Sequence, residues 1–74
     1  MVVYDAEQDR RVCMDMIRGC LERGDESWSV GQLILHAQRR RRIPMAALAA
    51  GTGVSAYRLR RVRDGYLRHV GGVR

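Results

Sequence analysis

Apolar residues recur along this chain at helical spacing, and nowhere do they alternate as a strand requires. The first such segment, residues 5–23, opens with acids, carries Arg23 in its last turn and meets Gly24 as a stop. Within it Val12, Cys13, Met14, Met16, Ile17, Cys20 and Leu21 cover roughly 200° of a helix, against the ~100° stripe that one neighbour needs. Two arrangements accommodate so wide a face: the helix wedges between layers of its own domain, or it also packs on a second copy of the chain. A second start signal follows the turn at residues 24–27. Ser29 reads as N-cap with Gln32 three residues on, and Trp28 and Leu33 are placed as a hydrophobic staple. Val30, Leu33, Ile34 and Ala37 form one stripe, with Leu35 pointing off it as a candidate for contact with the first helix.

Ile43-Pro44 breaks this pattern, because the residue before proline avoids the helical region while proline opens helices well. A short helix is expected over 45–50, then a glycine turn (Gly51, Thr52, Gly53), then a helix over 56–63 capped by Ser55 and stopped at Asp64-Gly65. Residues 66–74 have room for one further turn. The expectation is a single all-α domain over residues 1–74: a small helix-turn-helix bundle of four to five helices, its core at 29–65, with an additional N-terminal amphipathic helix at 5–23 and a short tail at 66–74.

The charges change the picture. All fourteen basic residues are arginine and the net charge is +6. Residues 1–27 hold seven acids and four arginines, for −3, whereas residues 28–74 hold ten arginines and Asp64 alone, for +9. A positive field this dense attracts polyanions, so the second part reads as the binding part. Seventy-four residues leave little room for an enzyme site. Neither a bilayer-length apolar run nor a secretory signal is present, and Cys13 and Cys20, about 10 Å apart along a helix, read as reduced thiols of a cytoplasmic protein.

Leu48-Ala49, then Gly53-Val54-Ser55, then Leu59, Val62 and Gly65 resemble the helix-turn-helix of the lambda-repressor and Cro-like family, small phage and bacterial transcription regulators. With residues 30–42 resembling that family's first helix, the likeness covers about residues 30–65. Ala49 is small where the second helix crosses, Gly53 tolerates a left-handed turn, and Leu48, Val54, Leu59 and Val62 would fill the core. Leu59 and Val62 facing inward put Tyr57, Arg60 and Arg61 outward, with Arg58 and Arg63 on the shoulders. The resemblance implies base contacts from Ala56, Tyr57 and Arg61, with Arg60 beside them; an arginine can hold guanine O6 and N7 in bidentate fashion. Arg39, Arg40, Arg41, Arg42, Ser55, Arg58 and Arg63 are the expected phosphate contacts. Asp64 stands where the family commonly has a phosphate-binding asparagine, and pairing with Arg60 or Arg61 is its alternative use.

The expected function is therefore a sequence-specific, double-stranded DNA-binding regulator of the Cro or repressor type, with no cofactor, no metal and no membrane partner. Homodimer through the N-terminal helix and monomer both stay open. His36 and His69 read as ordinary surface or boundary residues, no nucleophilic triad is suggested, and the glycines make no phosphate loop. The different-class alternative is a small protein-binding module, such as a phage inhibitor or antitoxin, with a helix-turn-helix as scaffold.

Overall fold

A computed structural model describes residues 5–71. Four helices follow one another, α1 Ala6–Glu22, α2 Trp28–Arg39, α3 Met45–Thr52 and α4 Ala56–Gly71. The described residues are all-helical, and the count is four with the N-terminal helix included, not four to five in addition to it. The last residues of the expected tail, 72–74, lie outside the described residues.

Asp5 caps α1, its carboxylate accepting from the backbone N–H groups of Glu7 and Gln8 at 3.1 Å. At the other end Gly24, at φ 78°, turns the chain left-handed, so that Asp25 N–H returns to Cys20 O at 2.9 Å and Gly24 N–H to Leu21 O at 3.1 Å. One face of α1 is used within the domain. Cys13, Ile17 and Leu21, at i, i+4 and i+8, are buried, and Met14 and Cys20 pack on the same core. The rest of the wide apolar arc stays in solvent: Val12 is 48% and Met16 53% exposed.

α2 begins earlier than the capping-box pattern predicts. The Asp25 carboxylate accepts from Ser27 N–H at 3.1 Å, which sets the turn so that Ser27, not Ser29, is the N-cap. Val30 and Gly31 already return their N–H groups to Ser27 O, while the Ser27 and Ser29 hydroxyls bond each other at 2.9 Å and leave the backbone uncapped by side chains. Trp28 therefore occupies the first turn and stacks on α4. Leu35 is buried, though outside the main core cluster. Past the helix end Arg42 adopts φ 54°, and the reversal sends Ile43 N–H back to Ala37 O at 3.2 Å and buries Ile43.

α3 starts behind Pro44 and runs two residues further than predicted, through Gly51 and Thr52. Thr52 is buried and makes this extension: its hydroxyl donates to Leu48 O at 2.6 Å and accepts from Val54 N–H at 3.2 Å. The flexible Met14 side chain of α1 lies over Gly51, in the space that a Cβ there would take. Gly53 then makes the left-handed turn at φ 72°, its N–H on Ala49 O.

Ser55 Oγ accepts from Arg58 N–H at 3.2 Å and caps α4 as predicted. The predicted stop at Asp64-Gly65 does not occur. A glycine inside a helix costs only about 1 kcal/mol, and continuation brings Tyr66 onto α2, where Gly31 allows close approach. A Cβ on Gly31 would land on the carbonyl oxygen of Val62 and lie 2.8 Å from Cβ of Tyr66. Trp28 then stacks with Tyr66, centroids 6.2 Å apart, and with His69 at 4.7 Å and 6°. Leu48, Leu59, Ile34 and Ile17, one from each helix, are fully buried at the centre. None of the described helices is long and apolar enough to cross a membrane.

Candidate nucleic-acid interface

The turn between α3 and α4 fixes which way α4 faces. Leu59 and Val62 are buried and Val54 packs against the same core, which rotates the opposite side of the helix outward. Tyr57 is 63% exposed, and Arg60 and Arg61 are exposed beside it. Neither arginine makes an ion pair among the described residues. The Arg61 guanidinium lies 5.9 Å from the Tyr57 ring centroid, within reach of a cation–π contact. Ala56 is half-buried at the first helical position. α1 packs chiefly on α2 and α3, so the exposed side of α4 is not covered by the leading helix.

The arginines on the shoulders of α4 face the protein instead. Arg58 donates to the Glu26 carboxylate at 2.8 Å and to the carbonyl of Leu21 at 2.9 Å, tying the start of α4 to the end of α1. The cation at the positive end of α4 is thus balanced by an acid from the α1–α2 turn, while its second bond adds a donor to the Leu21 carbonyl, which already accepts from Gly24 N–H. Arg63 donates to Gln38 at 3.0 Å and to Asp64 at 3.2 Å. Asp64 therefore pairs with Arg63, not with Arg60 or Arg61 as predicted: Gln38 of α2 holds the planar guanidinium along the flank of α4, where its fork spans both acceptors.

The run after α2 also divides. Arg41 is bound to Asp9 of α1 at 2.7 Å, bracing the α2–α3 turn against α1. Arg39, Arg40 and Arg42 are exposed and unpaired among the described residues. Of the predicted phosphate contacts, then, Arg39, Arg40 and Arg42 project into solvent, Ser55 serves as a cap, and Arg41, Arg58 and Arg63 hold the bundle together. For Arg58 or Arg63 to meet a phosphate, it must first leave the partner described here.

Two features were not read from the sequence. Arg68 lies on the same outward stripe as Tyr57, Arg61 and Asp64, and with them and Glu26 it borders a hollow of about 380 Å³. The spacing 57, 61, 64, 68 carries that signal, but ending the helix at Asp64 hides it. The Trp28–Tyr66–His69 stack was missed for the same reason, although Leu59, Val62, Tyr66 and His69 repeat at intervals of three and four. No cluster of three metal-ligating side chains occurs among the described residues. No protein-family model matches the chain, and neither a curated protein nor a solved structure shows significant similarity to it.

Proposed function

We propose that this protein is a sequence-specific double-stranded DNA-binding regulator of the lambda-repressor and Cro-like type, which inserts the first half of α4 into the major groove. The observation that carries this reading is the pairing state of the arginines on α4. Those on the flanks are occupied by Glu26, Gln38 and Asp64, whereas Arg60 and Arg61, beside Tyr57, are exposed and unpaired on a helix anchored by Leu59 and Val62. A guanidinium kept free of protein acceptors has its hydrogen-bonding fork available for a base edge, and a buried anchor fixes where it points.

Arg61 is the first base-reading candidate, with Ala56, Tyr57 and Arg60 around it. Arg39, Arg40 and Arg42 supply sequence-independent attraction to phosphates flanking the groove, which makes affinity fall steeply with salt. The expected consequence is control of transcription by occupying an operator. The second reading is a module that binds an acidic protein through the same face. The mixed-sign hollow of Glu26, Tyr57, Arg61, Asp64 and Arg68 favours it, because a protein surface can offer acceptors to the arginines and donors to the acids, whereas phosphate offers acceptors alone.

Salt-dependent DNA binding does not separate the two, since any surface this basic adheres to DNA. Selection from a random duplex pool does. A recovered consensus that relaxes at one base pair in Arg61→Ala is the outcome expected of the regulator. A pool that shows no enrichment after repeated rounds refutes it.

A further inference from the structure

The exposed part of α1 that the core does not use is self-complementary, and we infer that it joins two copies of the chain as an antiparallel helix pair. Asp5, Asp9, Val12, Met16, Gly19 and Arg23 are spaced four, three, four, three and four residues apart, which places them on one seam of the helix. That seam lies to one side of Cys13, Ile17 and Leu21, the residues α1 gives to its own core. Val12 and Met16 at its centre are about half exposed.

A two-fold axis midway between Val12 and Met16 makes every facing pair compatible. Val12 meets the partner's Met16, and Met16 meets the partner's Val12, forming two apolar layers at the middle. Asp5 at one end faces the partner's Arg23, and the symmetry repeats that opposite-charge pair at the other end. Asp9, bent towards Arg41 of its own chain, faces the partner's Gly19. A glycine suits that layer: the side chain over it is that of Arg23, whose guanidinium lies 3.4 Å from where a Cβ would stand and 3.6 Å from Cys20 Sγ, and which uncovers the glycine when it reaches out to the partner's Asp5. A parallel arrangement would instead set Asp5 against Asp5 and Arg23 against Arg23.

The neighbouring surface extends the seat. A groove of about 490 Å³ runs between α1 and α2 beside this seam, with Val12, Cys13, Met16 and Leu33 supplying its apolar wall. A seventeen-residue helix is only about 25 Å long. Two apolar layers and a shallow groove fall short of the ~800 Å² per partner of a stable interface, so the pair is weak, with a dissociation constant on the order of 100 μM. This inference does not rest on the DNA reading, which uses α4.

Sedimentation equilibrium of the full chain over a concentration series, at low and high salt, tests it. Wild type should shift from monomer to dimer with rising concentration. Met16→Glu should remain monomeric while keeping its helical circular dichroism and its melting temperature, since the side chain is exposed. Arg23→Glu should weaken the dimer roughly tenfold at low salt, the loss shrinking as salt rises. The register is read by disulfide trapping on a Cys20→Ala background: an equimolar mixture of Val12→Cys and Met16→Cys chains should cross-link faster than either alone. A wild-type chain that stays monomeric at about 1 mM, a dimer that survives Met16→Glu, or fastest linkage within a single variant overturns the proposal. DNA selection by Met16→Glu, whose α4 is untouched, keeps this outcome separate from the fate of the regulator reading.

Discussion

α2 meets the backbone of α4 at Gly31, and adding one methyl there should open that contact. A Cβ at position 31 collides with backbone, the carbonyl of Val62, and lies 2.8 Å from Cβ of Tyr66; neither can rotate away as a flexible side chain would. Relief requires the two helices to separate over Val30, Ile34, Leu59 and Val62, which are 3% exposed or less. Overpacking of this kind costs about 1–3 kcal/mol, and the gain of about 1 kcal/mol from replacing a helical glycine by alanine offsets only part of it. Gly65, on α4 itself, is the control: the nearest atom to a Cβ there is an Arg68 nitrogen at 4.0 Å. Gly65→Ala should therefore gain helix propensity without a clash and stabilise by about 0.5–1 kcal/mol. Urea denaturation followed by circular dichroism and by Trp28 fluorescence reads both variants. Gly31→Ala should lose stability, and its melting temperature should fall by about 4–8 °C per kcal/mol in a domain of this size. A Gly31→Ala protein as stable as Gly65→Ala would refute the close packing that holds α4 in place.

Two further outcomes follow from local backbone and burial. Arg42 holds φ 54° without being glycine, so Arg42→Gly should stabilise the fold by about 1 kcal/mol while weakening DNA binding through the lost charge; a destabilised variant would contradict the turn. Burial pushes the Cys13 thiol above its usual 9.0, although the nearby Arg41 pulls it down and Asp9 raises it further. The folded chain then keeps a proton that the unfolded chain releases, so this contribution is complete below about pH 9 and is lost as pH rises towards the folded value. Urea midpoints at pH 8 and pH 10 should fall further in wild type than in Cys13→Ala; equal falls would refute the sign.

The elements carried by periodicity were legible before the structure: the Cys13–Ile17–Leu21 stripe of α1, and the buried Leu48, Leu59 and Val62 on either side of the Gly53 turn. What the sequence hid is where tertiary contact outweighs a local signal. Gly65 reads as a stop because glycine lowers helix propensity, yet Tyr66 stacking on Trp28 lies beyond it and carries α4 to Gly71. Ser29 reads as a cap, but Asp25 fixes the turn two residues earlier. The outward set of Tyr57, Arg60 and Arg61 follows from helical spacing. The separation of solvent-facing arginines from those bound in the fold does not. It depends on Glu26, Gln38 and Asp9, residues 32, 25 and 32 positions away from their partners.

The central claim is that Arg61 reads a base while the arginines at the end of α2 read only charge. Competition binding measures it directly: the affinity for a selected duplex relative to random duplex of equal length, at one fixed salt concentration, in wild type, Arg61→Ala and Arg40→Ala. Arg61→Ala should lower that ratio by about 1–3 kcal/mol, roughly 5- to 150-fold, whereas Arg40→Ala should weaken both duplexes together and leave the ratio unchanged. Equal losses on both duplexes in Arg61→Ala would contradict the account.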